Sequence, residues 1–320
     1  MEKVILLADR DSNSWEFAEK IQKYIEEKRD MQIPLEEVCI KHFRNCEIDM
    51  HVPGNTRQKD VYFIHDSTKN PQEWLVQLLL LKDLLLSASA NTVSFVLPNI
   101  LYNRKDRKDK PHVPISARAL ANSISPGLKR IITMDLHAPQ IQGFYPANVP
   151  IDNLYSSPSL VSHLKEKDDS LKLEEIVIVS PDAGGTDRAR YFAIRLGSKN
   201  PLAVIDKRRL IAGEIEEMRL IGDVNGRDTL IIDDIIDSGG TACKGGQLLK
   251  KEGAKNVSIY ATHGIFTSGT QELSKIFHRI MTSNTHYQKE KNVEVIDISP
   301  VFAEAIYRAQ EGLPISKLFD

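Results

Sequence analysis

Short apolar runs recur along this chain, and each is followed by a longer stretch whose apolar residues keep helical spacing. The runs VILLA (4–8), VYFIH (61–65), TVSFVLP (92–98), RIITMD (130–135), IVIVS (176–180), PLAVID (201–206), TLIID (229–233), VSIYATH (257–263) and VEVID (293–297) predict strands. Helices are predicted over 14–28, 71–87, 116–124, 158–166, 186–196, 241–252, 270–277 and 301–311. The second of these opens on Asn70, Pro71 and Glu73, which suit the N-cap, the first helical position and the reciprocal capping-box position. Strands that alternate with helices at this spacing predict an α/β fold with central, mostly parallel sheets flanked by helices. Nine strands fit two sheets better than one. The turn-rich segment from Pro150 to Pro158 is the expected seam. No short-period repeat is visible, and the two halves are too dissimilar in sequence to assign a duplication.

Composition narrows the field without naming a function. The 320 residues are 41% apolar and 27% charged, with a net charge of −2, which is ordinary for a soluble globular protein. No global basic field is present to hold nucleic acid or an anionic membrane, so neither is expected as a partner. Three cysteines (Cys39, Cys46, Cys243) lack disulfide or zinc spacing and fit a reducing, cytoplasmic setting. The N-terminal apolar run is cut by Asp9, Arg10 and Asp11, unlike a secretory signal. Trp74 to Leu86 is interrupted by Gln77, Lys82 and Asp83, which argues for a packed helix over a membrane span.

The chemistry concentrates at the C-terminal ends of the predicted strands, where α/β sheets bind ligands. TLIIDDIIDSGGT (229–241) carries two adjacent carboxylates, Asp233 and Asp234, then Asp237, Ser238, Gly239, Gly240 and Thr241. The glycines let backbone amides turn toward an anion, the hydroxyls add donors, and the next helix presents its N-terminus to a phosphate. The two acids suit sugar hydroxyls, so the segment reads as a site for a phosphorylated sugar; taken alone, it also fits a plain strand-to-helix turn. The run from Arg104 to Lys110, which includes Lys105 and Asp109, holds five cations and two carboxylates. It suits a polyphosphate clamp or a solvated loop. His137 closes a strand and is a candidate for a metal or phosphate, or a structural histidine. Asp182, in SPDAGG (180–185), is a candidate for Mg²⁺ or a helix cap. Asp206 to Arg209 places Lys207 and Arg209 where they could meet charge developing in phosphoryl transfer, or merely sit on the surface. No Walker-type or kinase-type glycine motif is present.

Taken together these segments resemble the phosphoribosyl-pyrophosphate synthetases, or ribose-phosphate diphosphokinases. The likeness spans nearly the whole chain: FRNCE (43–47), NRKDRKDKPHVPISA (103–117), TMDLHAPQIQGF (133–144), PIDNLY (150–155), VSPDAGG (179–185), IDKRR (205–209), GDVNGRDTLIIDDIIDSGGT (222–241), THGIF (262–266) and the tail AEAIYRAQEGLPISKLF (303–319). DLHAPQIQGF and DKRR are more specific than the DD…GGT element, which phosphoribosyltransferases share. The resemblance implies transfer of the β,γ-diphosphoryl group of ATP to the 1-hydroxyl of ribose 5-phosphate, with Mg²⁺ and release of AMP. It implies two phosphoribosyltransferase-type domains: 1–153 with most ATP contacts, and 154–303 with the ribose 5-phosphate site and catalytic loop. The tail 304–320 would pack back on the first domain.

Residue by residue, the resemblance assigns ATP to Phe43, Asn45, Glu47, Arg104, Lys105, Asp109 and His137, and the metal to His137 and Asp182. Asp233, Asp234, Asp237, Ser238, Gly239, Gly240 and Thr241 would hold ribose 5-phosphate, and Lys207 and Arg209 would be catalytic. Arg57 and Asp152 match a regulatory region. A homo-oligomer of dimers building to a hexamer is also implied. Three departures stand out: Lys105 in place of the usual Gln, Asn55 in place of a common Ser, and a longer 144–150 loop. A catalytically silent relative is disfavoured by the intact IDKRR, and a phosphoribosyltransferase by DLHAPQIQGF and the second α/β unit.

Overall fold

The computed structural model describes residues 3–167, 172–208 and 217–318. It divides into two compact units, one made of the residues up to Tyr155, Thr285–Tyr287 and the residues from Ile298 on, the other of Ser156–Asn284 and Gln288–Asp297. In the first unit β1 (Val4–Asp9) leads to α1 (Ser14–Arg29), a hairpin of β2 (Leu35–His42) and β3 (Ile48–His51), then β4 (Asp60–Ile64), α2 (Pro71–Ser87), β5 (Thr92–Leu97), α3 (Ser116–Ile124), β6 (Arg130–Met134) and β7 (Ile151–Leu154). The second unit runs α4 (Ser157–Lys167), β8 (Val177–Ser180), α5 (Thr186–Leu196), β9 (Ala203–Arg208), β10 (Glu217–Ile221), β11 (Thr229–Ile236), α6 (Gly240–Lys251), β12 (Val257–Gly264), α7 (Gln271–Ile276), β13 (Arg279–Ser283) and β14 (Glu294–Ile296). The chain then closes with α8 (Ser299–Gln310), which belongs to the first unit.

The two sheets share one topology. Their orders are β3-β2-β1-β4-β5-β6-β7 and β10-β9-β8-β11-β12-β13-β14, and the third strand of each unit is its antiparallel edge. A likeness too faint to assign from sequence is therefore explicit in strand order.

Continuous apolar runs form the inner strands because helices cover both sheet faces. Every residue of β1 is buried. Alternation sends Ile5 and Leu7 to the layer of Trp74, Leu78 and Leu81, and Leu6 and Ala8 to the layer of Phe17, Ile21, Phe302 and Ile306. Among the described residues no helix is long and apolar enough to cross a membrane.

All eight predicted helices are present, but five strands are not among those expected: β2, β3, β7, β10 and β13. In β2 only Val38 is fully buried, so LEEVCIKH shows no apolar run. β3 and β7 are four-residue edge strands, and β7 occupies part of the segment expected to be a turn-rich seam. β13 buries Thr282 and Ser283 by donating their hydroxyls to the carbonyls of Ala261 (2.8 Å) and Thr262 (2.7 Å). A hydropathy reading discounts such residues.

Candidate active site

The strand order of the second unit reverses direction between β8 and β11, so the loops leaving these strands diverge and open a crevice at their C-terminal ends. At the end of β8, Asp182 folds its loop back on itself. Its Oδ1 accepts the Gly185 amide (2.9 Å) just before α5, and its carbonyl accepts the Ser180 hydroxyl (2.7 Å). Its Oδ2 lies 3.6 Å from Lys207 Nζ, at the end of β9.

β11 extends three residues beyond the expected end, to Ile236, because Ile235 and Ile236 continue the ladder with His263 and Gly264 of β12. Asp233 and Asp234 therefore sit inside a strand, where alternate residues face opposite sides. Leu230 and Ile232 pack in the layer of Ala189 and Phe192 on α5, and Asp234 follows that side. It is buried and its Oδ1 accepts from Arg188 Nη1 of α5 at 2.8 Å. Ile231 faces the other layer, and Asp233 follows it into a small cavity lined by Pro181, Ile205, Lys207, Thr241 and Gly245. The Asp234 amide donates to Asp233 Oδ1 (2.9 Å). Burial, and then the charge of the adjacent Asp234, push the Asp233 carboxyl well above the usual carboxylate range.

The loop that follows leaves hydrogen-bond donors open at the start of α6. Asp237 Oδ1 accepts the Thr267 hydroxyl at 2.8 Å, and its carbonyl accepts the Thr267 amide at 3.0 Å, so two loops brace each other. Gly239 holds φ +81°, which a side chain rarely adopts, and it caps α6. Helix α6 is seated closely: a Cβ on Gly246 would lie 2.6 Å from the Ile276 side chain and 2.8 Å from Phe277. Ser238, Gly240 and Thr241 are exposed beside the free amides of its first turn. A dianion placed there meets donors and the positive end of the helix.

The equivalent turn of the first unit, between β4 and α2, is closed on itself. Buried Asp66 accepts from the Asn13 amide (3.0 Å), Asn13 Nδ2 (3.1 Å), the Thr68 amide (2.8 Å) and the Thr68 hydroxyl (2.8 Å). Lys69 ion-pairs with buried Asp9 at 2.7 Å. Lys69, Asn70 and Pro71 stand where the second unit has its glycine pair, and Pro71 offers no amide. The shared topology thus carries a loop with open donors in one unit and a loop bonded within itself in the other.

The other predicted residues of the first unit lie on three segments. Phe43, Asn45 and Glu47 form the tip of the β2–β3 hairpin, closed by Phe43 N donating to Glu47 O (2.8 Å) and Glu47 N to Asn45 Oδ1 (3.2 Å). Phe43 is 57% exposed there. Arg104, Lys105 and Asp109 are exposed on the loop after β5, with Lys105 bonded to Asp109 at 2.5 Å. That bond is the main reason the Asp109 carboxyl is held below its ordinary range. Gln140 Nε2 donates to Asp106 Oδ2 (2.7 Å), linking this loop to the segment that carries the exposed His137. Arg57 lies exposed before β4, its amide donating to Asn55 Oδ1 (3.0 Å), and Asp152 on β7 pairs with Arg130 at 2.7 Å. Arg209 lies outside the described residues.

Among the described residues no three His, Cys, Asp or Glu side chains gather into a metal cage. Asp182 offers a hard carboxylate oxygen and His137 a ring nitrogen, one in each unit. A lone carboxylate such as Asp182 fits Mg²⁺, which keeps several waters and takes its remaining ligands from substrate phosphates. Two residues that sequence reasoning missed, Arg188 and Thr267, act on site carboxylates from neighbouring elements. A guanidinium in the first turn of α5, next to the buried Ala189, and a threonine in a loop carry no motif of their own; only the fold brings them to Asp234 and Asp237.

A doubly wound pair of sheets, with a carboxylate pair and a glycine-paired loop at one switch point, defines an α/β protein of the phosphoribosyltransferase type. The sequence profile described as the N-terminal domain of ribose phosphate pyrophosphokinase matches residues 7–126, and that of the phosphoribosyl synthetase-associated domain matches 207–320. The ribose-phosphate pyrophosphokinase of Rhizobium meliloti is 39% identical over 298 residues, covering 91% of this chain and 94% of that protein. That of Hyphomonas neptunium is 41% identical over 299 residues, covering 91% and 93%. The crystal structure of phosphoribosylpyrophosphate synthetase from Mycobacterium smegmatis matches with a TM-score of 0.85 at 30% identity, covering 97% of this chain and all of that one. The chain belongs to the ribose-phosphate pyrophosphokinase family.

Proposed function

We infer that this chain makes 5-phospho-α-D-ribose 1-diphosphate: it transfers the diphosphoryl group of ATP to the 1-hydroxyl of D-ribose 5-phosphate and releases AMP, for nucleotide biosynthesis. The observation that carries the residue assignment is the open loop from Asp237 to Thr241 at the switch point of the second unit, backed by the N-terminus of α6. The 5-phosphate is assigned to that loop and the pentose hydroxyls to Asp233 and Asp234. ATP is assigned to Phe43, Asn45, Glu47, Arg104, Lys105, Asp109 and His137.

The reaction spreads negative charge over the moving phosphoryl oxygens, so positioned cations supply most of the acceleration. Lys207 is the described residue given that task, with Arg209 beside it in sequence. Asp182 or His137 would hold Mg²⁺, which would supply further positive charge to the phosphate groups. Arg57 and Asp152 are assigned to regulation. A homo-oligomer of dimers building to a hexamer, in the cytoplasm, completes the reading; the exposed Phe43 supports a surface completed by another copy.

The test is incubation of the chain with Mg²⁺, ATP and ribose 5-phosphate, with products separated by anion exchange. AMP and the diphosphorylated pentose in equal amounts are expected. ADP with a pentose 1,5-bisphosphate, the products of single phosphoryl transfer, would overturn diphosphoryl transfer. Light scattering of the same preparation tests assembly, a monomer being the contrary result.

A further inference from the structure

The two adjacent acids of β11 differ in environment. Asp233 faces the cavity with Lys207 and Thr241, whereas Asp234 points to the α5 side, with a side chain only 7% exposed. Arg188, itself 15% exposed, meets Asp234 at 2.8 Å from the first turn of α5. That helix starts directly after the Asp182 loop and packs on β8 and β11, so its register fixes the guanidinium relative to both strand ends. A buried carboxylate left without this partner would recruit a proton or turn toward other donors. The carboxyl of Asp233, bonded to the Asp234 amide and lying beside its side chain, would move with it.

We propose that Arg188 is a positioning residue for the pentose: by holding Asp234 from α5 it fixes the carboxylate pair of β11 that the sugar hydroxyls meet. This rests on the reading of residues 233–241 as the pentose site.

The experiment measures KM for ribose 5-phosphate and for ATP, with kcat, in Arg188→Met, Arg188→Lys, Asp233→Asn, Asp234→Asn and the Arg188→Met/Asp234→Asn double variant. Arg188→Met is expected to raise the ribose 5-phosphate KM about tenfold or more, the scale of one charge-assisted hydrogen bond, with the ATP KM within about twofold. Arg188→Lys should recover part of the loss, and the double variant should lose less than the two single changes combined, since both remove the same ion pair. An unchanged ribose 5-phosphate KM in Arg188→Met, or an equal rise in both KM values, overturns the role of Arg188 when Asp233→Asn still weakens the pentose. If Asp233→Asn also leaves that KM unchanged, the pentose reading itself fails. Should Arg188→Met not fold, Arg188→Lys and Asp234→Asn decide: a wild-type ribose 5-phosphate KM in both overturns the proposal.

Discussion

Arg29 and Glu304, 275 positions apart, are joined by two short bonds, Nε–Oε2 at 2.7 Å and Nη2–Oε2 at 2.6 Å. Glu304 is 7% exposed, and its other oxygen accepts Arg308 Nε at 2.6 Å. One carboxylate therefore pairs with two guanidiniums and pins α8 to α1. Arg29 in turn lies 5.4 Å over the ring of Tyr307, and its own pKa is raised chiefly by its bond to Glu304. Removing the acid leaves two cations facing each other. Glu304→Ala is expected to destabilise the first unit by about 2 kcal/mol, discounted from the fully buried case because Arg29 is partly exposed. Both tryptophans, Trp15 and Trp74, lie in that unit. Urea unfolding read by tryptophan fluorescence therefore isolates the effect, and a loss under about 0.5 kcal/mol would show the triad to be ornamental.

His65 predicts a pH dependence. It is 2% exposed, its Nε2–H donates to the Trp74 carbonyl (3.1 Å), its ring stacks on the Trp74 indole at 5.6 Å, and Nδ1 has no partner. Burial is the main cause that lowers its pKa from 6.5 to about 4. The folded state thus refuses a proton that the unfolded state accepts, so the stabilising contribution is present above about 6.5 and is lost as pH falls toward 4. The full swing is roughly 3 kcal/mol. Thermal melts from pH 7 to pH 4 should fall more steeply for the wild type than for His65→Gln, which has no titrating ring. Parallel curves would contradict the assignment.

Much of this architecture can be read from the chain, and the parts that cannot have physical reasons. Apolar runs such as VILLA and TLIID are legible because a strand covered on both faces needs every residue apolar. β2 and β7 escape because an edge or near-edge strand needs only part of that pattern, and β13 because Thr282 and Ser283 meet their burial cost by bonding to carbonyls. In the site, the 229–241 segment is legible because glycines, hydroxyls and acids are contiguous. Arg188 and Thr267 are not, since their roles depend on the register of α5 and on the loop after β12. That Asp233 and Asp234 face opposite layers follows from strand alternation, but only once β11 is known to run on to Ile236.

Lys207 should matter for rate and little for stability. Its contact with Asp182 is 3.6 Å long and the carboxylate is half exposed, so the pair contributes less than about 1 kcal/mol to folding. A cation meeting charge that grows during transfer is worth more, on the order of 3 kcal/mol. Lys207→Ala is therefore expected to lower kcat about a hundredfold, with the ATP KM and the melting temperature nearly unchanged. Wild-type turnover would remove Lys207 from the reaction, and a large fall in melting temperature would mean that the lost rate reports damage to the fold.

The brace between Asp237 and Thr267 offers a graded probe of the anion loop. Asp237 gives its Oδ1 and its carbonyl to Thr267, so the loop after β12 sets the path of the glycine-paired turn. Thr267→Val keeps the shape and the amide bond but deletes the hydroxyl donor, at a cost near 1 kcal/mol. Because the turn must be in place before a phosphate can use its amides, that cost should appear in pentose binding: a rise of about fivefold in the KM for ribose 5-phosphate. Asp237→Ala removes the same side-chain bond together with the carboxylate, keeps the backbone bond and should raise it further, while ATP saturation stays near wild type in both variants. If Thr267→Val shifts neither constant but Asp237→Ala still weakens the pentose, Asp237 acts on the ligand directly and the brace is incidental. If neither variant changes the ribose 5-phosphate KM, the open loop at 237–241 is not where the 5-phosphate sits.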